Sequence, residues 1–198
     1  MESKRTSLRL TGRPFIRLAS YVAAACMVSF SACDKVKDAT STDVKVDKAT
    51  IELTDIAVQE PTRADALNPF GATQTIFLSQ IEGFTEDLMQ YQSKITDINV
   101  DAMTITILAS DDEDGTVVED FNLSADGVGS ELSIPEYSLG TAYAVAGAQP
   151  FATALMLELF KVSSITMHVE GKTDVTSGKN LQVKIEMEDL VFTVGVLN

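Results

Sequence analysis

Apolar residues along this chain recur mainly at every second position, the period of a strand with one buried face. From Thr50, Ile51 and Leu53 alternate with polar neighbours, and Ile56 and Val58 continue in the opposite phase. Ile98, Val100 and Ala102 hold even positions before Met103, Ile105 and Ile107 take odd ones. Near the C-terminus Leu181, Val183, Ile185 and Met187 alternate, and then Leu190, Phe192, Val194 and Val196 switch phase. A slip of one residue turns a strand's apolar set to its other face. The three slips therefore predict bulges, or strands that leave one sheet and join its partner. Charge falls on two of the breaks, at Asp55 and at Glu188-Asp189, as an exposed kink requires.

Turn signals divide the rest. Asp114-Gly115 predicts a hairpin joining 103–109 to 116–123, and the stretch 171–180 predicts another joining 164–170 to 181–187. Thr85, followed by Glu86 and Asp87, reads as the cap and acidic first turn of a helix over 85–93. Pro150 suits the first position of a second helix, over 150–161. The fold class expected is mainly β, an antiparallel β-sandwich with two short helical inserts; an α+β domain is the alternative.

The N-terminus follows a different pattern. Five bases (Lys4, Arg5, Arg9, Arg13 and Arg17) precede an apolar run of about 13 residues that ends in small residues and Cys33, the layout of a secretory signal. The run is too short for a comfortable transmembrane helix, which needs about 20 apolar residues. The division expected is a signal over 1–32, a flexible tether over 33–49 and one β-rich domain over 50–198. Removing residues 1–32, with five bases and one acid, leaves ten bases against 28 acids, a net charge of −18. Such a surface repels phosphate backbones and has no basic cluster to neutralise them, so nucleic acid is excluded as a partner.

Phe30-Ser31-Ala32-Cys33 resembles the lipobox of bacterial lipoprotein precursors. That resemblance implies that Cys33 accepts a diacylglyceryl group and that Ser31 and Ala32 provide the small residues the lipoprotein signal peptidase requires. Phe30 stands where Leu is usual, a variation found in Bacteroidota-type lipoproteins. Cys26, after Ala23-Ala24-Ala25, is the competing acceptor, but cleavage there leaves an apolar run of only about eight residues. With Cys33 used, the mature chain keeps one cysteine, already acylated, and no disulfide can form. Asp34 directly after the cysteine resembles the inner-membrane retention signal of enterobacterial lipoproteins. In Bacteroidota-type lipoproteins that rule is not expected to hold, and an outer-membrane location is expected. Beyond the signal, the chain resembles Bacteroidota envelope lipoproteins with sandwich domains in the order of its segments and its alternating C-terminal strand, and in no diagnostic motif.

Three features are candidates for chemistry. Asp111, Asp112 and Asp114 stand in a run of four consecutive acids that Ca²⁺ would relieve. The EF-hand pattern fails, because the closing position falls on Phe121, and an exposed acidic loop is the expected reading. His168, the one histidine, is placed by alternation on an outer face beside Thr166 and Glu170, where Glu170 could orient it. No nucleophile elbow accompanies it, and one histidine without free thiols does not make a usual zinc site. The run from Leu139 through Phe160 has Glu158 as its sole charged residue and reads as a small-residue strand leading into a buried helix.

No cofactor and no catalytic residue are expected. The function expected is a lipid-anchored binding or structural module of the cell envelope, with the membrane as one partner through Cys33 and a protein or ligand as another. A carrier of an apolar ligand, with Leu139 to Phe160 as cavity wall, is the alternative. A carboxylate-dependent hydrolase ranks last.

Overall fold

The computed structural model describes residues 41–63, 67–109 and 116–195. Nine strands and two helices follow in order: β1 (Ser41–Ala57), β2 (Asn68–Phe77), α1 (Glu86–Gln90), β3 (Ile95–Asn99), β4 (Ala102–Ala109), β5 (Val117–Ala125), β6 (Leu132–Ser138), β7 (Tyr143–Ala144), α2 (Gln149–Val162), β8 (Ser164–Thr173) and β9 (Asn180–Gly195). They form two sheets. In the first the order is β1-β9-β4-β7, with β3 also paired to β9; in the second it is β2-β8-β5-β6. The alternating apolar faces meet between the sheets, where Ile51, Ile105, Phe121, Leu123, Val183 and Ile185 are fully buried. The mainly β sandwich with two helical inserts is the fold expected from the sequence.

The phase slips have a backbone cause. Asp55, Asp120 and Asp189 all sit at positive φ, 57°, 52° and 51°. Aspartate tolerates this left-handed region better than most side chains, which suits it to a bulge. At Asp120 the pairing of β5 with β8 shifts between Glu119 and Asn122. At Asp189 the long strand β9 turns over: its first half pairs with β4 and its second half with β3. The slip between Ala102 and Met103 falls at the start of β4, just past its junction with β3 at Val100-Asp101; the two strands lie end to end along β9. There the Asp101 N–H donates to the Glu188 carbonyl. Beyond Asp55 the chain reaches the other sheet, where Val58 bridges Phe70 of β2.

Three boundaries differ from the sequence reading. Residues 41–49, expected in the tether, form the first half of β1. Val44 and Val46 pack against the core there. Cross-strand pairs support them: the Thr193 hydroxyl donates to Asp43, and Lys48 pairs with Glu186. Neither expected hairpin forms. β4 and β5 lie in different sheets, as do β8 and β9. A long loop leaves pairing to the faces it joins, and all four strands alternate well enough to pair with several partners. The consecutive pair that does form is β5–β6, around Asp126-Gly127.

Both helices fall where capping predicts. The Thr85 hydroxyl accepts from the Leu88 N–H at the start of α1. Pro150 lies in the first turn of α2, and Ser163 closes that helix at φ 66°. Phe151, Ala152, Leu155, Met156, Leu159 and Phe160 bury the inner side of α2. Among the described residues no helix is long and apolar enough to cross a membrane.

Asp174, just past β8, fastens the entry to β5. Its carboxylate accepts from the Thr116 N–H at 2.9 Å, the Val117 N–H at 3.0 Å and the Thr116 hydroxyl at 2.7 Å. Partial burial raises this carboxyl's pKa, but the hydrogen bonds to its ionised form outweigh burial and hold it below the ordinary 3.8. A lowered folded pKa stabilises above the unfolded value and is lost as pH falls through the folded one. Asp174→Asn is expected to cost about 1 kcal/mol at pH 7, a small figure because the group is solvent-exposed. The gap from the parent protein should narrow below about pH 4, as urea unfolding at pH 7 and pH 3 will measure.

Candidate binding face on the second sheet

The outer surface of the second sheet is built in rows by its register. His168 on β8 lies between Thr73 on β2 and Ser124 on β5. One step along, Glu170 lies between Gly71 and Asn122. Gly71 has no side chain to fill its place in the second row. That gap helps to form an open depression of about 560 Å³ whose lining includes Gln59, Asn122, Ser124, Glu131, His168 and Glu170. Its volume lies within the usual range of ligand sites, roughly 300–1,000 Å³.

Both nitrogens of His168 are engaged. Nδ1 lies 3.0 Å from the Thr73 hydroxyl and Nε2 lies 3.1 Å from Asp126 Oδ1. Because a carboxylate only accepts, Nε2 carries the proton in the neutral ring and the Thr73 hydroxyl donates to Nδ1. Alternation placed His168 on this face correctly, with Ile165, Met167 and Val169 buried behind it. Its acidic partner, however, is Asp126 and not Glu170. Asp126 follows the end of β5, and its N–H donates to the Thr166 carbonyl. Separation by 42 positions hides that pairing in the sequence.

Hydroxyl, imidazole and carboxylate stand in the order of a proton relay, yet His168 and Asp126 are 43% and 69% exposed. Water competes for such groups and screens their charges, whereas relays act where water is excluded. The arrangement suits hydrogen bonding to a polar ligand: Ser124 and Asn122 can donate, and the Thr73 hydroxyl oxygen, Glu131 and Glu170 accept, while the His168 N–H is already given to Asp126.

The other sequence candidates fall elsewhere. Cys33, Asp111, Asp112 and Asp114 lie outside the described residues. Among the described residues no group of three His, Cys, Asp or Glu is placed to hold a metal ion. The segment from Leu139 to Phe160 contains the two-residue strand β7 and most of α2, and the Tyr143 ring lies 5.4 Å from that of Tyr137, tilted by 42°. The outer side of α2 forms one wall of a second groove, about 680 Å³, shared with Met89, Gln92 and Ile95.

The fold and this surface define a two-sheet antiparallel sandwich with a polar outer face. No protein-family model matches the chain, and no curated protein resembles it in sequence. Similar solved structures include turnip yellow mosaic virus, at TM-score 0.41 and 7% identity over 80% of this chain and 97% of that one. The decameric BFDV capsid protein gives 0.38 and 7% over 77% and 99%. Desmodium yellow mottle tymovirus gives 0.34 and 9% over 100% and 92%. At these TM-scores the likeness says nothing about function.

Proposed function

We propose that the protein is a lipid-anchored, non-catalytic binding or structural module of the bacterial cell envelope, held at the outer membrane through acylated Cys33. The observation that carries this reading is the export pattern of residues 1–33: five bases, a short apolar run, and small residues directly before a cysteine. Several acyl chains, each contributing about 0.8 kcal/mol per buried CH₂, make such an anchor stable where one chain alone does not. The depression around His168 is the face offered to a polar partner, and the net charge of −18 over residues 33–198 disfavours anionic ones.

Cys33→Ser is expected to abolish incorporation of labelled fatty acid and to release the protein from the membrane fraction, while Cys26→Ser leaves both intact. The reverse pattern, or label retained in Cys33→Ser, refutes the assignment.

A further inference from the structure

Five large apolar side chains are exposed among the described residues, and four of them gather at one end of the sandwich: Phe77, Tyr91, Leu157 and Val162. Hydrogen bonds tie their segments together. The Ser163 carbonyl accepts from the Leu78 N–H at 2.9 Å, which holds the end of β2, with Phe77, against the end of α2, with Val162. Gln92, next to Tyr91, donates to the Phe160 carbonyl at 2.6 Å and to the Ser163 hydroxyl at 2.8 Å. Leu157 faces the groove of about 680 Å³ that Met89, Ile95 and Phe160 also line. Exposed apolar groups clustered beside a groove mark a surface that meets something else.

The course of β1 indicates what it meets. Asp43 pairs with Thr193 across β1 and β9, and Ile95 pairs with Val194 on the other side of β9. Strands lie about 4.8 Å apart, so the start of β1 is roughly 10 Å from the start of β3, at the end that carries the patch. Seven residues separate Cys33 from Ser41. Even fully extended, that link spans no more than about 28 Å. The fifth exposed residue, Leu108, stands near the far end of β4. At about 3.3 Å per residue, that position is roughly 40 Å from Ile95 along the line of β3 and β4.

We propose that this end of the domain, centred on Tyr91, Leu157 and Val162, rests on the lipid surface that holds Cys33, with its apolar side chains at the interface. The proposal depends on the lipid-anchor reading above and adds an orientation to it. Glu158 and Lys161 line the groove as an ion pair at 3.1 Å, a mixed set suited to zwitterionic headgroups.

The chain contains no tryptophan, so a single introduced one reports its own surroundings. Full-length protein carrying Tyr91→Trp, processed and acylated in cells, is reconstituted into phosphatidylcholine vesicles with plain or brominated acyl chains. The expected result is a blue-shifted emission and about twofold quenching by bromine, since tryptophan settles at the headgroup level. Leu157→Trp should behave likewise, while Leu108→Trp keeps a solvent-like, unquenched emission. Co-flotation with vesicles but no quenching at Tyr91→Trp or Leu157→Trp, or equal quenching at Leu108→Trp, overturns the orientation alone. A blue shift without bromine quenching also overturns it, because protein, such as a second copy, then covers the patch. Failure of the acylated chain to float overturns the anchor and the orientation together.

Discussion

Gly83→Ala is expected to destabilise the domain by about 4 kcal/mol or more, through strain and overpacking together. Gly83 has φ +98°, and a Cβ there would stand 2.0 Å from the Lys48 carbonyl oxygen. That oxygen belongs to the backbone of β1 and cannot swing away as a flexible side chain could. The contact sits beside the bridge in which Thr50 and Glu82 exchange N–H and carbonyl, at 3.0 and 3.2 Å. Relieving the clash therefore pulls the segment before α1 away from the first sheet. At about 2–4 °C per kcal/mol for a domain of this size, the melting temperature should fall by roughly 10 °C. Gly140→Ala is the matched control: its φ is +74°, but an added Cβ would have nothing within 4 Å. It is expected to cost only about 1 kcal/mol. Thermal melts of the two variants separate close approach from backbone conformation, and equal shifts refute the clash.

Phe192→Ala is expected to cost about 3–5 kcal/mol, the range for deleting a buried aromatic ring. Phe192 lies on the second half of β9 and is fully buried. Its ring centroid is 5.2 Å from that of Phe160 on α2 and 5.7 Å from that of Phe84 before α1, and the Phe84 and Phe160 rings are 5.3 Å apart. The Phe84–Phe192 contact is edge-on at 86°, a geometry that aromatic quadrupoles favour. The three rings join the kinked half of the first sheet to both helices. Their removal should loosen the end that carries the exposed patch before the rest of the sandwich opens. Hydrogen exchange should show lost protection in α1, α2 and β3, with β5 and β6 less affected. Phe84→Ala combined with Phe192→Ala should cost less than the sum of the two, because the rings share one cluster. Additivity within about 0.3 kcal/mol would contradict that coupling.

The two-residue period made the sandwich legible, and the phase slips located Asp55 and Asp189 because a left-handed aspartate adds one residue to the count. Alternation also placed His168 on the outer face. It could not assign strands to sheets. Ile105 and Val183 alternate just as Phe121 and Leu123 do, and only the three-dimensional pairing puts β4 with β9 and β5 with β8. The start of β1 was obscured for a related reason. Lys45, Asp47 and Lys48 give 41–49 the composition of a solvated linker, while Val44 and Val46 supply just enough alternation for a strand at a sheet edge. The pairing of His168 with Asp126 and the cluster of Phe84, Phe160 and Phe192 join residues far apart in sequence, and no local spacing announces either. The hydrogen bonds from Thr116 and Val117 to Asp174 are hidden in the same way.

Seven residues separate Cys33 from β1, so the proposed acylation of Cys33 is what the proposed orientation of the sandwich depends on. The most direct measurement of that account is the intact mass of the protein extracted from the cell envelope with detergent. The account predicts a chain beginning at Cys33 with the added mass of a diacylglyceryl group on that residue. A chain that still begins at Met1, or one cut elsewhere and carrying no lipid, would contradict it.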